Sequence, residues 1–362
     1  MLNKDNQAIE NLKKYKILVD KQLASFFKIQ TREARKVDQS SFQMMKAIEE
    51  FTLRGGKRIR AALIFYGYQC FSSRNLKEVI KSSMAIEMIQ SYLLIHDDIV
   101  DRDDKRRGGK TMHKVYEQIG GDKFNLKKNI VEREHFGRSM AIFSGNICAS
   151  LANIILSESN FKNKNVAIQK VNEIITQVNF GQIVDFFSGY KKTFSEKEIL
   201  KIYKLKTGSY TFEAPLIIGA VLAGAHDSLL QPFKKYAQYL GLAFNIQDDI
   251  LELFGEEKKT GKPSGSDLKE GKKVLMIVKA MELASSKDKN FIKKNLGNKN
   301  LKKKEIERFK KIITDTGSLD YCKKKAQLYI NKAKLSLKKA NYKKKGRDFL
   351  EGIADYMLER KY

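Results

Sequence analysis

An all-α fold in one domain spanning 1–362 is what this sequence predicts, and three observations predict it. Apolar residues recur at helical spacing almost throughout. No run alternates apolar and polar residues long enough to make a convincing strand. Only 3 prolines accompany 23 glycines, too few for the frequent turns of a sandwich or barrel. With 42% hydrophobic residues in 362, the chain can bury a sizeable core, which excludes general disorder.

Ile9, Leu12, Tyr15, Ile17 and Leu23 open the first helical segment. Arg54-Gly55-Gly56-Lys57 is a local glycine-rich interruption, and Ile59, Leu63, Ile64, Tyr66 and Gly67 continue another helical segment. Met84 to Ile95 is nearly all apolar, the mark of a helix buried on all sides. Gly108-Gly109 and Gly120-Gly121 break the pattern, and the polar stretch 119–134 reads as a loop or arm. Helices then follow over 137–157, 165–189, 195–206, 208–225, 229–253, 272–285, 304–315, 319–340 and 347–359, with a glycine-rich interruption from Gly261 to Gly271. No repeat of fixed period and no linker divides the chain. No stretch approaches the roughly 20 apolar residues of a membrane span, and the N-terminal residues lack the apolar run of a secretory signal. Cys70, Cys148 and Cys322 are odd in number and widely spaced. They suggest neither a disulfide framework nor a zinc site, and the cytoplasm is the expected compartment.

Charge is the strongest bulk signal: 70 Lys+Arg against 42 Asp+Glu, net +28. From Lys287 to Tyr362 there are 24 basic and 9 acidic residues, so about half the excess lies in the last fifth. A solvated lysine-rich surface explains most of it. No zinc-finger, RNP-like or P-loop motif accompanies the charge, so no specific nucleic-acid partner is expected. Docking on an anionic membrane is a second role for the same region.

The sharpest feature is Ile95-His96-Asp97-Asp98-Ile99-Val100-Asp101, directly after the apolar helix. Helical geometry puts Asp97 and Asp101 on one face with Asp98 beside them. Three converging carboxylates would repel one another unless cations neutralise them, and oxygen-only ligands favour Mg²⁺ or Ca²⁺ over zinc. Gln247-Asp248-Asp249-Ile250-Leu251-Glu252 repeats the design, with Asp248 and Glu252 at i, i+4 and Asp249 adjacent. Two such clusters facing each other above an apolar shaft suit a diphosphate with a hydrophobic tail, because magnesium completes its shell with water and phosphate oxygens. Cations lie close by in sequence: Arg54 to Arg60, Arg106-Arg107, Lys206, Lys262, and Lys272-Lys273. Arginine grips phosphate as a fork and lysine as a point charge.

In this order, Leu53-Arg54-Gly55-Gly56-Lys57-Arg58-Ile59-Arg60, the two aspartate motifs, Arg106-Arg107-Gly108, Gly181-Gln182, Lys206-Thr207, Gly261-Lys262-Pro263, Ser266-Asp267-Leu268 and Glu270-Gly271-Lys272 resemble the trans-isoprenyl diphosphate synthases. These are the farnesyl and geranylgeranyl diphosphate synthase, or polyprenyl synthetase, family. The resemblance covers most of the chain. It implies a helical bundle with a deep central cavity, usually a homodimer, and three Mg²⁺ per active site. The implied reaction condenses isopentenyl diphosphate with an allylic diphosphate. By position, Asp97, Asp101 and Asp248 look like metal ligands, with Asp98, Asp249 and Glu252 nearby. Arg106, Lys206 and Lys262 would hold the allylic diphosphate, with Lys272 a further cation for substrate. Lys57, Arg60, Gln90 and Arg107 would hold isopentenyl diphosphate. Thr207 and Gln182 would line the path of the allylic cation.

In this family the growing tail descends beside the helix before the first acidic motif, and a bulky side chain there stops it. Tyr92 stands five residues before Asp97, a little over one helical turn of about 5.4 Å. Together with the two-residue spacing between Asp98 and Asp101, it resembles archaeal-type geranylgeranyl diphosphate synthases. A C20 product is therefore expected ahead of C15. Four positions depart from the family pattern: Asn245 for Gln, Glu252 for Asp, Asn146 for the common Gly-Asp, and Val274 for Thr. The arm at 119–134 also looks longer than usual. A terpene cyclase would need no isopentenyl diphosphate site, and the basic motifs at 54–60 and 106–107 argue against one. A poorly active or regulatory subunit is the remaining alternative.

Overall fold

Ala8, Leu12, Tyr15, Val19, Leu23 and Phe27 form one buried stripe along a 34-residue helix, α1 (Lys4–Val37). Their three- and four-residue spacing aligns them on one face. This is a computed structural model, which describes residues 4–189, 195–255 and 264–359. Asp38 caps α2 (Gln39–Leu53), accepting the Ser41 N–H at 2.6 Å. Helices α3 (Ile59–Gln69) and α4 (Leu76–Val100) are central: every residue from Ala61 to Gln69 and from Ser82 to Ser91 is buried. The expected all-round burial holds from Met84 to Ser91, while Tyr92, Leu93 and Leu94 are half-buried.

After α4 comes a two-residue antiparallel ladder, β1 (Lys105–Arg106) with β2 (Gly109–Lys110), in which Arg106 pairs with Gly109. Its turn, Arg107-Gly108, has positive φ at both residues, 51° and 77°, as a tight two-residue hairpin requires. Helices α5 (Met112–Lys123), α6 (Ile130–Ser157), α7 (Lys164–Gly189) and α8 (Glu196–Tyr203) follow. A π-helical segment, Lys204–Glu213, leads into α9 (Ala214–Leu222), and α10 (Leu230–Phe254) carries the second acidic motif. Six further helices complete the described chain: Ser266–Glu270, Leu275–Leu283, Ser286–Asn295, Lys303–Asp315, Ser318–Leu337 and Lys344–Glu359. Two hydrophobic clusters fill the interior. The larger joins α1 to α7, α9, part of α10 and the C-terminal helices. The smaller joins α8, the end of α10 and the helices after it. Tyr329 and Leu358 pack on both.

The structure corrects three sequence expectations. The stretch 119–134 is not a continuous loop, because α5 runs to Lys123 and α6 begins at Ile130. Gly120 and Gly121 do not break the chain there. They lie buried inside α5, where Phe136 of α6 crosses close over Gly120. Helices α2, α5 and Ser286–Asn295 were not anticipated: Ser286–Asn295 is short and polar, α5 carries two glycines near its end, and α2 carries a helical period in Met44, Met45, Ile48 and Phe51 that could have signalled it. Helix α6 is also long and apolar enough to cross a membrane by length and composition. It buries Gly137, Ala141, Gly145, Cys148 and Ala152 within the protein while Ile142, Phe143 and Ile154 remain exposed.

Candidate active site

The end of α4 sends its three aspartates in different directions. Asp97 and Asp101 are one turn apart and partly exposed, and Gln182 on α7 donates to Asp97 Oδ1 at 3.0 Å. Asp98 is fully buried, and one of its oxygens accepts the Arg106 Nε–H. Burial pushes its pKa up to about 7, although Arg106 opposes the shift. The expected trio of converging carboxylates is thus a pair, because Arg106 draws Asp98 inward. Arg106 also lies 3.8 Å from Asp97 and 3.5 Å from Asp103.

The second motif divides the same way. Asp248 is exposed. Asp249 accepts the Tyr203 hydroxyl, and that hydroxyl accepts the Leu275 N–H at 3.1 Å. Burial, and then Asp267, push Asp249 well above the usual carboxylate range. Glu252 accepts the Ser266 hydroxyl at 2.9 Å and the Asp267 N–H at 3.1 Å. Asp98, Asp249 and Glu252 are therefore committed to protein donors. The face of α10 toward the cleft carries Asn245 and Asp249, one residue round from the Asp248–Glu252 face that the sequence suggested.

That cleft, about 490 Å³, brings the two motifs together: Asp101, Gln182 and Asp185 on one side, with Tyr203, Asn245, Asp249, Asp267 and Lys272 on the other. Lys272 spans it, 3.9 Å from Asp101, 3.2 Å from Asp267 and 3.0 Å from Glu270. Burial works against the Lys272 charge, but Asp267, Asp101 and Glu270 outweigh it and hold the group charged. An ammonium thus already balances Asp101 of the first motif and the Asp267 and Glu270 carboxylates that follow the second. Among the described residues no three carboxylate, histidine or cysteine side chains converge on one point as a ready metal cage. Such an open, all-oxygen donor set fits Mg²⁺, which keeps several waters and takes phosphate oxygens.

A second cavity, about 220 Å³, is lined by Lys57, Arg60, Gln90 and Arg107, the four residues expected to act together. Gln90 and Asp97 are seven residues apart on α4, so the cavity lies roughly two turns, about 10 Å, from the first acidic motif. Gly55 and Gly56 have φ of 69° and 96°, and Arg107 packs against Gly56, where a side chain would meet its guanidinium at 3.4 Å. The hairpin turns Arg106 to the aspartates and the adjacent Arg107 to this cavity. Arg54 fixes the hairpin by donating to the carbonyls of Arg106 and Lys110, at 3.1 and 2.8 Å. Arg60 reaches the π segment, donating to Thr211 Oγ1 at 2.7 Å and to the Tyr210 hydroxyl.

The backbone of Lys206 and Thr207 lies in that π segment, a feature that recurs at functional sites. Their side chains, and all of Lys262, lie outside the described residues. Gly208 meets Gly241 of α10 backbone to backbone; a Cβ on Gly241 would come within 2.5 Å of the Gly208 Cα. Asn245 is turned along its own helix, donating to Gly241 O at 2.8 Å and Tyr203 O at 3.5 Å. Val274 lines the cleft and Asn146 is exposed. Tyr92 is half-buried, and its hydroxyl accepts from Asn179 Nδ2 on α7 at 3.3 Å. Its ring lies 4.7 Å from that of His96.

Sequence reasoning missed Glu87, Phe244 and Tyr356 in the cavity, and gave no role to Asp185, Tyr203 or Asp267 in the cleft. Glu87 and Asp185 carried a signal: each is three residues from a chosen position, Gln90 or Gln182, hence on its face. Tyr356 carried none.

The family model for polyprenyl synthetase matches residues 42–313. The short chain isoprenyl diphosphate synthase of Methanocaldococcus jannaschii is 34% identical over 322 residues, 88% of this chain and 90% of that protein. The geranylgeranyl diphosphate synthase of Methanosarcina mazei is 32% identical over 326 residues, with 88% and 90% covered. Among solved structures, geranylgeranyl pyrophosphate synthase from Corynebacterium glutamicum, complexed with isoprenyl diphosphate and magnesium, superposes with a TM-score of 0.87 at 26% identity. The match covers 96% of this chain and 99% of that one.

Proposed function

Because this chain belongs to the polyprenyl synthetase family, we propose that it condenses isopentenyl diphosphate with an allylic diphosphate to make geranylgeranyl diphosphate, releasing diphosphate. It is a prenyltransferase. The observation that carries the reading is the pairing of two unlike anion sites along α4. One is a carboxylate-rich cleft that suits a metal-bound diphosphate, and the other is a cavity with four cations and one carboxylate on its wall among the described residues.

Asp97, Asp101 and Asp248 keep solvent access and are the residues that would hold magnesium, three ions by analogy with the family. When bound, magnesium withdraws charge from the allylic diphosphate and makes it a better leaving group. Arg106, Lys206, Lys262 and Lys272 neutralise the departing diphosphate as the C1–O bond breaks. Lys57, Arg60, Gln90 and Arg107 hold isopentenyl diphosphate with its double bond toward the allylic carbon. The π electrons form the new C–C bond, and a C2 proton leaves to the diphosphate. Gln182 and Thr207 border the path of the cation. Tyr92 sets tail length. Asn245, held back on Gly241 O, slows the reaction without removing the site.

The remaining assignments complete the same reading. The chain is one domain. The exposed Ile142 and Phe143 on α6, with Phe180, Ile183 and Phe187 on α7, form an apolar face suited to a second copy of the chain. Leu328 and Leu335, exposed one heptad apart among Lys324, Lys332 and Lys339, suit an anionic membrane surface. Three buried free thiols suit the cytoplasm. Incubation with Mg²⁺, isopentenyl diphosphate and dimethylallyl, geranyl or farnesyl diphosphate, with product length read by chromatography, tests the function. A C20 product is expected, and absence of any elongated product from every primer would end the reading.

A further inference from the structure

The cavity assigned above to isopentenyl diphosphate contains a group that opposes its task. Glu87 lies on its wall, the only carboxylate lining it among the described residues, and its side chain is 5% exposed. A bare carboxylate there would repel the incoming diphosphate, more strongly from a buried position than from open water.

Arg58 meets this carboxylate. Its Nη1 donates to Glu87 Oε2 at 2.8 Å, its Nε to Asp20 Oδ1 of α1 at 2.7 Å, and its Nη2 to the Thr52 carbonyl of α2 at 2.9 Å. Arg58 also borders the cavity, but its side chain is 2% exposed and its donors are turned to protein acceptors. It stands between Lys57 and Arg60 at the start of α3, with φ of 55°, a left-handed conformation that a long side chain rarely adopts. Three acceptors hold it there, joining α1, α2 and α4 to the loop that carries the substrate-facing cations.

We propose that Arg58 is a positioning residue that sets the affinity for isopentenyl diphosphate by cancelling the Glu87 charge on the cavity wall. This rests on the assignment of the cavity to isopentenyl diphosphate. The allylic cleft does not contain Glu87, so the effect is confined to one substrate. A guanidinium is needed because a lysine cannot span Glu87, Asp20 and Thr52 together.

The test is a steady-state double-mutant cycle with both KM values measured, circular dichroism confirming the fold. Arg58→Met should raise the isopentenyl diphosphate KM at least about tenfold while the allylic KM changes less than about twofold. Adding Glu87→Gln to Arg58→Met should recover most of the loss, a rescue that a purely structural role would not give. Arg58→Lys should fall between wild type and Arg58→Met. Lys57→Met is the control for the underlying assignment. If it leaves the isopentenyl diphosphate KM unchanged, the cavity assignment fails and this inference with it. If Lys57→Met raises that KM but the double variant stays as weak as Arg58→Met, the assignment stands and the role of Arg58 is refuted. Should Arg58→Met not fold, Glu87→Gln alone decides: a lower isopentenyl diphosphate KM supports charge cancellation, and no decrease overturns it.

Discussion

Tyr203→Phe removes one oxygen that serves two partners. Its hydroxyl donates to Asp249 and accepts the buried Leu275 N–H at 3.1 Å. The phenyl ring still fills its place in the smaller hydrophobic cluster, so no cavity opens. The variant loses two hydrogen bonds and strands a buried amide, together about 2–4 kcal/mol. For 362 residues, an unfolding entropy of roughly 0.8 kcal/mol/K converts this to a Tm lower by about 3–5 °C. Asp249 stands on the cleft wall, so its release should also raise the allylic KM more than the isopentenyl diphosphate KM. Thermal melting followed by circular dichroism, together with both KM values, makes the measurement. A Tm within 1 °C of wild type and two unchanged KM values would refute the idea that this hydroxyl braces the second motif.

Asp101→Ala should cut turnover by orders of magnitude at saturating Mg²⁺ while the circular dichroism spectrum is kept; normal turnover would remove it from the metal-holding set. Asn245→Gln should raise turnover, since the longer amide reaches past the Gly241 carbonyl that now holds it; a slower variant would show that the cleft is fitted to asparagine. Tyr92→Ala should lengthen the main product by at least one isoprene unit on chromatography, and an unchanged product would place the floor of the shaft elsewhere. Burial works against the Glu196 charge, but hydrogen bonds from Lys279, Lys325 and Tyr321 hold its pKa down to about 2, against an ordinary 4.5. A lowered carboxylate adds stability that is fully present above the unfolded pKa and lost as pH falls through the folded one. The Tm gap between wild type and Glu196→Gln should therefore be largest near neutral pH and close between about pH 4.5 and 2. A gap that stays constant over that range would contradict the assignment.

The sequence by itself determined the features that depend on spacing along one helix. Burial of α4 through Ser91 and the i, i+4 pairing of Asp97 with Asp101 followed from local pattern; the grouping of Lys57, Arg60, Gln90 and Arg107, from separate segments, came only with the family resemblance, and the structure brings these four onto one cavity. Helical period is a local property, and 3.6 residues per turn fixes which side chains share a face. It does not fix what that face meets. Only the tertiary structure decided that Asp98 turns inward to Arg106, that Asp249 rather than Asp248 lines the cleft, and that Tyr356 completes a cavity whose other walls are built from residues 56 to 107 and from Phe244. Each outcome depends on which helices pack together and on which donors reach a carboxylate once water is excluded. A short polar segment such as Ser286–Asn295, which buries only Ile292, was illegible for the same reason: tertiary packing supplies most of a short helix's stability, and a pattern read along one segment does not contain its neighbours.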